Sequence, residues 1–514
     1  MGSGMKPHRG KSSRLVSRRV FLTRAGTLTL TLGGMGYWLP RIAWGRDPYA
    51  AGVWLAGDHH IHTKYSPDGQ YEILEQVRQA RQHGLSWCVI TDHGGPRHDK
   101  VALEKVYPEL VAAREQFPGM SIFQGLEWNV PAAEHGSVIL PQTADEAEVI
   151  AEFEARYDSK NFSRAGTAAD SEEDAVQGVK YLQSLKSRPL FFANHPARTG
   201  RVSPMELRAW GDAGPDVTRG FEGAAGHQAA TLVGSARGHY YKEPSPASWS
   251  GFPSHAYRTW GGYDWFVAEV GGLWDSLLAE GRPWYITANS DSHRHWTDTR
   301  YVDPTSYLIT GSVTVTTQPA SGGGRRGNID FWPGEYAKTW VYAASADGAA
   351  VLAALRNGSM FTVMGDLIDR LELTAISEDA AAPMGGTLIV DRRGMDVNVR
   401  LRLREAAGEN FANRRPRVHH VDLIAGDITA SAAKREGVKN ASARIVRRFE
   451  ADDLRGDGRW LTATHEFRNI RGDFYVRLRG TNRDVAAPEM DELSVNPWDD
   501  LWFYSNPVMV RIKT

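Results

Sequence analysis

The sequence predicts an α/β catalytic region followed by a β-sandwich-like C-terminal domain. Three observations carry this. From about Val53 to Tyr301, short apolar runs alternate with stretches of helical periodicity. Clusters of His, Asp and Glu stand at the ends of those apolar runs. After about Arg370 the pattern changes to short alternating runs separated by Gly, Asn and Asp. Alternating β and α units argue for a parallel sheet, and strand ends are where barrel enzymes place their active sites.

The elements follow in order. Residues 1–46 run basic, then apolar, then small and turn-forming. Ser17-Arg18-Arg19-Val20-Phe21-Leu22 resembles the twin-arginine export signal. The apolar stretch Thr27–Leu39 is too short and too rich in Gly and Thr for a stable membrane span. The expected location is therefore periplasmic or secreted, with the twin-arginine machinery as a partner; an uncleaved anchor is the alternative. Residues 47–365 form the catalytic region. Val53–Gly57, Trp87–Thr91, Met120–Leu126, Leu190–Ala193 and Trp284–Ala288 read as buried strands. Ile73, Leu74, Val77 and Ala80 fall at helical spacing, and the helix stops at Gly84. Two stretches, the polar, acidic 141–187 and the His-, Tyr-, Trp-, Pro- and Gly-rich 225–262, read as long segments that serve either as lids and specificity walls or as packing. Gly322-Gly323-Gly324-Arg325-Arg326 reads as a flexible loop. In 366–514, Leu371–Leu373, Met395–Leu403, Val418–Ile424, Phe474–Leu478 and Val508–Ile512 read as strands of the C-terminal domain. His419 and His420 would point to opposite faces within a strand, which gives them a structural reading.

Composition narrows the function. The chain has 514 residues, 41% hydrophobic and 24% charged, enough for a large core and more than one domain. Its one cysteine, Cys88, excludes an intrachain disulfide and a tetrathiolate zinc site. Nine Lys and Arg but no acid precede Asp47, so a net charge of −1 overall leaves about −10 on the rest. An acidic body is a poor general binder of nucleic acid.

The chemistry resides in the His and carboxylate clusters. His60 and His62 lie two apart at a strand end, so both face one side and can grip one divalent ion. Ser66-Pro67-Asp68-Gly69 follows, then Thr91-Asp92-His93-Gly94 and Gly125-Leu126-Glu127-Trp128. His135 opens another apolar run, Asn194-His195-Pro196 ends a later strand, and Ser290-Asp291-Ser292-His293 ends the last. A single His at a strand end is commonly a satisfied core residue; six such clusters in one chain are not accidental.

This ordered set, from residue 58 to 293, resembles the polymerase and histidinol phosphatase (PHP) family. The resemblance implies a distorted (β/α)7 barrel with two or three divalent ions. By this likeness His60, His62, Glu127 and Asp291 hold one ion. Glu127 bridges to a second held by His135 and His195, and Asp68, His93 and His293 hold a third. Asp92 is then a supporting partner rather than a ligand. Several relatives carry His at the Asp68 position.

Imidazole and carboxylate ligands suit Zn, Mn or Fe without choosing among them. The resemblance implies phosphoester hydrolysis by direct attack of metal-bridging hydroxide, with no covalent intermediate. Glu127 and Asp291 are the catalytic candidates. Arg198 is a candidate donor to a phosphate oxygen, and His227 or His59 to the substrate or its leaving group. The expected activity is an exported phosphodiesterase acting on small organic phosphodiesters. The alternatives are a monoesterase of the histidinol-phosphatase type and a metal-dependent amidohydrolase. Trp249, Phe252, Tyr257 and Trp260 offer an apolar wall for a diester's second substituent.

Overall fold

The computed structural model describes Met1, Gly226 and residues 47–161, 171–224, 228–233, 244–317, 329–378, 380–429, 435–457, 459–493 and 495–513. The twin-arginine motif, the apolar stretch after it, His227, residues 238–241 and residues 322–326 lie outside the described residues. Among the described residues, no helix is long and apolar enough to cross a membrane.

The N-terminal half is built on seven strands: β1 (Val53–Asp58), β2 (Trp87–Ile90), β3 (Ser121–Asn129), β4 (His135–Ile139), β5 (Leu190–Ala193), β6 (Thr218–Ala224) and β7 (Tyr285–Ala288). They lie side by side in that order. β1–β2–β3 and β5–β6–β7 pair in parallel, whereas β4 is antiparallel to both neighbours. The expectation of a wholly parallel sheet fails at β4 alone. The reversal brings His135, at the start of β4, to the end of the sheet where the other clusters finish.

The expected barrel is not closed by strand pairing among the described residues. Two short strands, β8 (Tyr301–Asp303) and β9 (Thr314–Thr316), form a separate hairpin. The next strand, β10 (Ala337–Ala343), runs antiparallel along β1, from Val53↔Ala343 to Gly57↔Thr339. The edge of β1 that β7 would need is therefore taken. Side chains stitch the seam instead. The Ala288 N–H donates to the Thr339 hydroxyl at 2.8 Å, and that hydroxyl donates to the Ala288 carbonyl at 2.9 Å. Asn506 treats Ile286 the same way, at 2.8 and 3.0 Å. Beyond the strands, the His62 N–H reaches the Ser292 carbonyl at 3.0 Å.

The helix Ile73–Gln82 buries Ile73, Val77 and Ala80 and ends at Gly84, whose φ is +83°. These side chains join Ile90, Leu110 and Ile122 in one apolar cluster, each large one contributing roughly 1.5–3 kcal/mol. The long segment 141–187 contains two helices, Glu146–Tyr157 and Glu172–Ser184. Phe153, Val179 and Leu182 from them enter the main core, so those helices are packing elements.

The sheet continues from β10 through β11 (Met360–Met364) into the C-terminal half, so it is large and mixed. Further strands there are β12 (Ile368–Ile376), β13 (Ala381–Pro383), β14 (Thr387–Val390), β15 (Val397–Glu405), β16 (His420–Asp427), β17 (Arg444–Glu450), β18 (Arg455–Asp457), β19 (Trp460–Phe467), β20 (Phe474–Thr481), β21 (Trp502–Ser505) and β22 (Val508–Ile512). β13-β12-β15-β19-β18 form a separate five-stranded sheet. Val397, Val399, Leu401 and Leu403, alternating along β15, share one core with Leu423, Val476, Leu478 and Val510 of the larger sheet. One buried ion pair and one buried hydrogen bond join the halves at depth. Arg477 contacts Asp275 at 2.7 Å, and Arg479, paired with Asp422 at 2.9 Å, also donates to the Ala268 carbonyl.

Candidate metal centre

The chain leaves β1 at Asp58, and the next four residues set the site. The buried Asp58 carboxylate accepts the N–H groups of His60 and Ser290, both at 2.9 Å. That ties the end of β1 to the segment after β7. Burial pushes the Asp58 carboxyl up to about 7 against these hydrogen bonds. His60 and His62 then project together as their spacing predicts, with Nε2 atoms 3.1 Å apart.

Glu127 and Asp291 close on this pair. His60 Nε2 lies 3.0 Å from Glu127 Oε1 and 3.0 Å from Asp291 Oδ1. His62 Nε2 lies 3.2 Å from Glu127 Oε2 and 3.1 Å from Asp291 Oδ1. Glu127 also faces three further imidazoles: His93 at 2.9 Å, His135 at 3.2 Å and His195 at 3.3 Å. Asp68 Oδ2 stands 3.5 Å from His93 Nε2 and 3.6 Å from His293 Nε2. All nine residues singled out as ligand candidates therefore lie in one contiguous cluster, with Glu127 at its middle.

Burial alone would raise the Glu127 carboxyl. The imidazoles of His60, His135 and His93 outweigh burial and hold it well below the usual carboxylate range. Asp68 is likewise held low, with His293 and His93 outweighing its burial. Burial drives His135 down to about 4, against the pull of Glu127. A neutral imidazole is the form that can ligate a metal.

The donor set fits divalent cations. His93 Nδ1 and His135 Nδ1 are buried within 3.2 Å of Glu127 oxygens yet form no hydrogen bond. Imidazole nitrogens and carboxylate oxygens converging in one buried cluster are the arrangement a divalent cation completes. His195 and Asp291 have φ of 29° and 48°, in the left-handed region that non-glycine residues avoid. Such strain gathers at functional sites. Gly226 passes directly over Asp291, and a Cβ at 226 would overlap the Asp291 side chain.

Residues 58–184 match the PHP domain family. The match takes in His60, His62, Asp68, His93, Glu127 and His135 and ends before His195, Asp291 and His293. A protein named as a probable phosphatase from Caldicellulosiruptor saccharolyticus is 33% identical over 92 residues, which are 18% of this chain. The matched stretch spans only 38% of that relative's length. A solved two-domain protein from Bacteroides vulgatus, described as containing a predicted PHP-like metal-dependent phosphoesterase, covers 86% of this chain. It is matched over 95% of its own length at 15% identity, with a TM-score of 0.32.

The other candidates have distinct places. Asp92 accepts the backbone N–H and hydroxyl of Thr63 at 2.6 and 2.7 Å, and so fixes the loop after His62. Arg198 follows His195 in a turn, its N–H on the His195 carbonyl at 3.0 Å. It is half-buried, and its charge acts on Glu134. His59 is fully buried beneath the cluster, between the Ser137 and Thr287 hydroxyls and stacked on Phe192. It does not reach a leaving group. The Phe252 ring packs on Gly200, two residues beyond Arg198, and meets Trp249 edge-on; the Trp249 backbone N–H donates to the Gly200 carbonyl at 2.7 Å. Trp260 instead pairs through its backbone with Met490 and meets His255 edge-on.

Sequence reasoning missed the residues behind the ligands. Glu222 accepts from His60 Nδ1 at 2.9 Å, from the His195 N–H at 3.0 Å and from Asn289 at 2.9 Å. Asn194 donates to Glu127 Oε1 at 3.0 Å, Ser66 meets His62 Nδ1 at 3.0 Å, and Asp330 accepts the His293 N–H at 2.7 Å. Glu134 lies within ligand distance of His135 and His195. One signal was available: Gly220-Phe221-Glu222 repeats the Gly-apolar-Glu pattern of Gly125-Leu126-Glu127.

Proposed function

We propose that this protein is a metal-dependent phosphoesterase that hydrolyses small organic phosphodiesters. The observation that carries the reading is Glu127, a buried carboxylate faced by five imidazoles within 3.3 Å, beside Asp291. His60, His62, Glu127 and Asp291 would hold one divalent ion, Glu127, His135 and His195 a second, and Asp68, His93 and His293 a third. Bound ions of the Mn, Zn or Fe kind supply a water acidified towards neutral pH and positive charge for an anionic phosphate.

The chain's own residues supply the rest. Glu222 faces His60 Nδ1 and would keep the proton there when an ion takes the Nε2 side, towards Glu127 and Asp291. Ser66 occupies the Nδ1 side of His62 in the same manner. Arg198, beside His195 at the half-open rim, donates to a phosphate oxygen. Trp249 and Phe252 flank the loop after Arg198 and take the second organic substituent, which a monoester lacks. A monoesterase is the second reading, favoured by the name of the Caldicellulosiruptor relative. Enzyme reconstituted with Mn, Zn or Fe should show higher kcat/KM on small diesters than on matching monoesters. Trp249→Ala with Phe252→Ala should lower diester turnover more than monoester turnover. Equal loss, or better monoester turnover, establishes the monoesterase. We also propose twin-arginine export to the periplasm or medium, supported by Ser17–Leu22. Arg18→Lys with Arg19→Lys should retain folded protein in the cytoplasm, and unaffected export would refute this.

A further inference from the structure

The His419-His420 pair does not behave as two strand residues on opposite faces. β16 begins at His420, and His419 lies just before it. The His419 N–H donates to the Thr481 carbonyl at 2.8 Å, and the His419 carbonyl accepts from Ala451 at 3.0 Å. Held this way, the two rings turn towards each other, and their Nδ1 atoms stand 3.2 Å apart. The same head-on approach, 3.1 Å between Nε2 atoms, joins His60 and His62 at the metal centre.

A carboxylate completes the group. Glu450 is the cross-strand partner of His420, and its Oε2 lies 3.8 Å from His419 Nδ1. Donors around a tetrahedral zinc ion lie roughly 3.3 Å apart, as bonds of ~2.0–2.1 Å require. The observed 3.2 and 3.8 Å bracket that spacing. Behind the first imidazole, Asp484 Oδ1 sits 4.0 Å from His419 Nε2. At that distance the exposed Asp484 makes no hydrogen bond to the ring and adds only negative charge beside it. His420 is 1% exposed and anchors the group, while the side chains of His419 and Glu450 are 38% and 54% exposed and open it to solvent.

We propose that His419, His420 and Glu450 bind one transition-metal dication of the zinc, nickel or copper class, separate from the phosphoesterase centre. Two imidazoles and one carboxylate suit those ions and leave a position for water. The ion would tie the start of β16 to the end of β17.

The test uses the full-length protein and Zn2+ alone. Wild type, His419→Ala, Glu450→Gln and Glu127→Ala are equilibrated with excess Zn2+, gel-filtered and assayed for zinc per chain. His419→Ala should hold one ion fewer than wild type, with diester turnover unchanged within twofold. Glu450→Gln should weaken one calorimetric zinc event by tenfold or more. That event should survive in Glu127→Ala. Equal zinc content in wild type and His419→Ala overturns the proposal, as does loss of the same event in Glu127→Ala.

Discussion

Glu222→Gln isolates the contribution of the charge behind His60. The side chain is fully buried, and its oxygens serve three donors at 2.9–3.0 Å. Oε1 accepts from both His60 and Asn289, and Oε2 from the His195 N–H. Glutamine keeps the shape but has a single acceptor oxygen. If that oxygen serves His60 and Asn289, the amide NH2 faces the His195 N–H, donor against donor. An unmet buried donor costs about 1–3 kcal/mol. A middle value of about 2 kcal/mol corresponds to roughly 30-fold, at about 1.4 kcal/mol per decade. That cost falls on the folded protein with or without metal, because the His195 N–H is present in both; metal affinity falls separately, by roughly 10–100-fold, because the charge behind His60 is gone. Chelator competition should show the variant releasing its ions at roughly 10–100-fold lower chelator, and the melting temperature of the apo protein should fall. Metal affinity within twofold of wild type would refute the role given to Glu222.

Glu127→Ala should cost more metal than any single His→Ala, by at least about 100-fold, because one carboxylate serves the whole cluster; elemental analysis decides this. Glu206 caps the helix Pro204–Ala213 through Ser203, and its second oxygen is buried without a partner. Burial raises its carboxyl from 4.5 to about 7. The folded state therefore binds this proton more tightly than the unfolded chain, and the stability it confers at acid pH is lost as pH climbs from about 4.5 through 7. Denaturant melts should show that decline in wild type and a flatter profile in Glu206→Gln, which keeps the cap. Asp275→Ala should destabilise by about 3–5 kcal/mol, since it leaves the buried Arg477 unpaired; a melting temperature within about 1 °C of wild type would contradict this, as each kcal/mol corresponds to about 1 °C in a chain of 514 residues.

The clustered His and carboxylates were legible and, Asp92 apart, the residues behind them were not, for one physical reason. A ligand pair such as His60-x-His62 is local, because the strand repeat places both imidazoles on one face. Glu222 and Asp330 act across the sheet on residues 162 and 37 positions away, and no local spacing reports that. Glu222 reads as one acid in an apolar run. The seam was hidden in the same way. β1 carried every mark of a barrel strand, but its second neighbour is β10, whose register depends on pairing far along the chain. The C-terminal strands were legible from alternation alone, since Val397, Val399, Leu401 and Leu403 show the period directly. His419-His420 was misread because strand geometry was assumed one residue too early.

The pairing of β1 with β10 sets an order of events during synthesis. β1 delivers His60 and His62, yet Gly52 and Tyr342, in contact at the outer end of this ladder, are 290 residues apart. At ~5–20 residues per second, the ribosome needs roughly 15–60 s to make that much chain. Throughout that interval β1 has an open edge, with backbone groups that any other extended strand can pair with. The segment carrying His60 and His62 is thus among the earliest translated and among the last to be locked. Chaperone demand, aggregation and metal loading should all be governed by the arrival of β10, and a ribosome-bound nascent chain halted before residue 337 should remain protease-sensitive at β1.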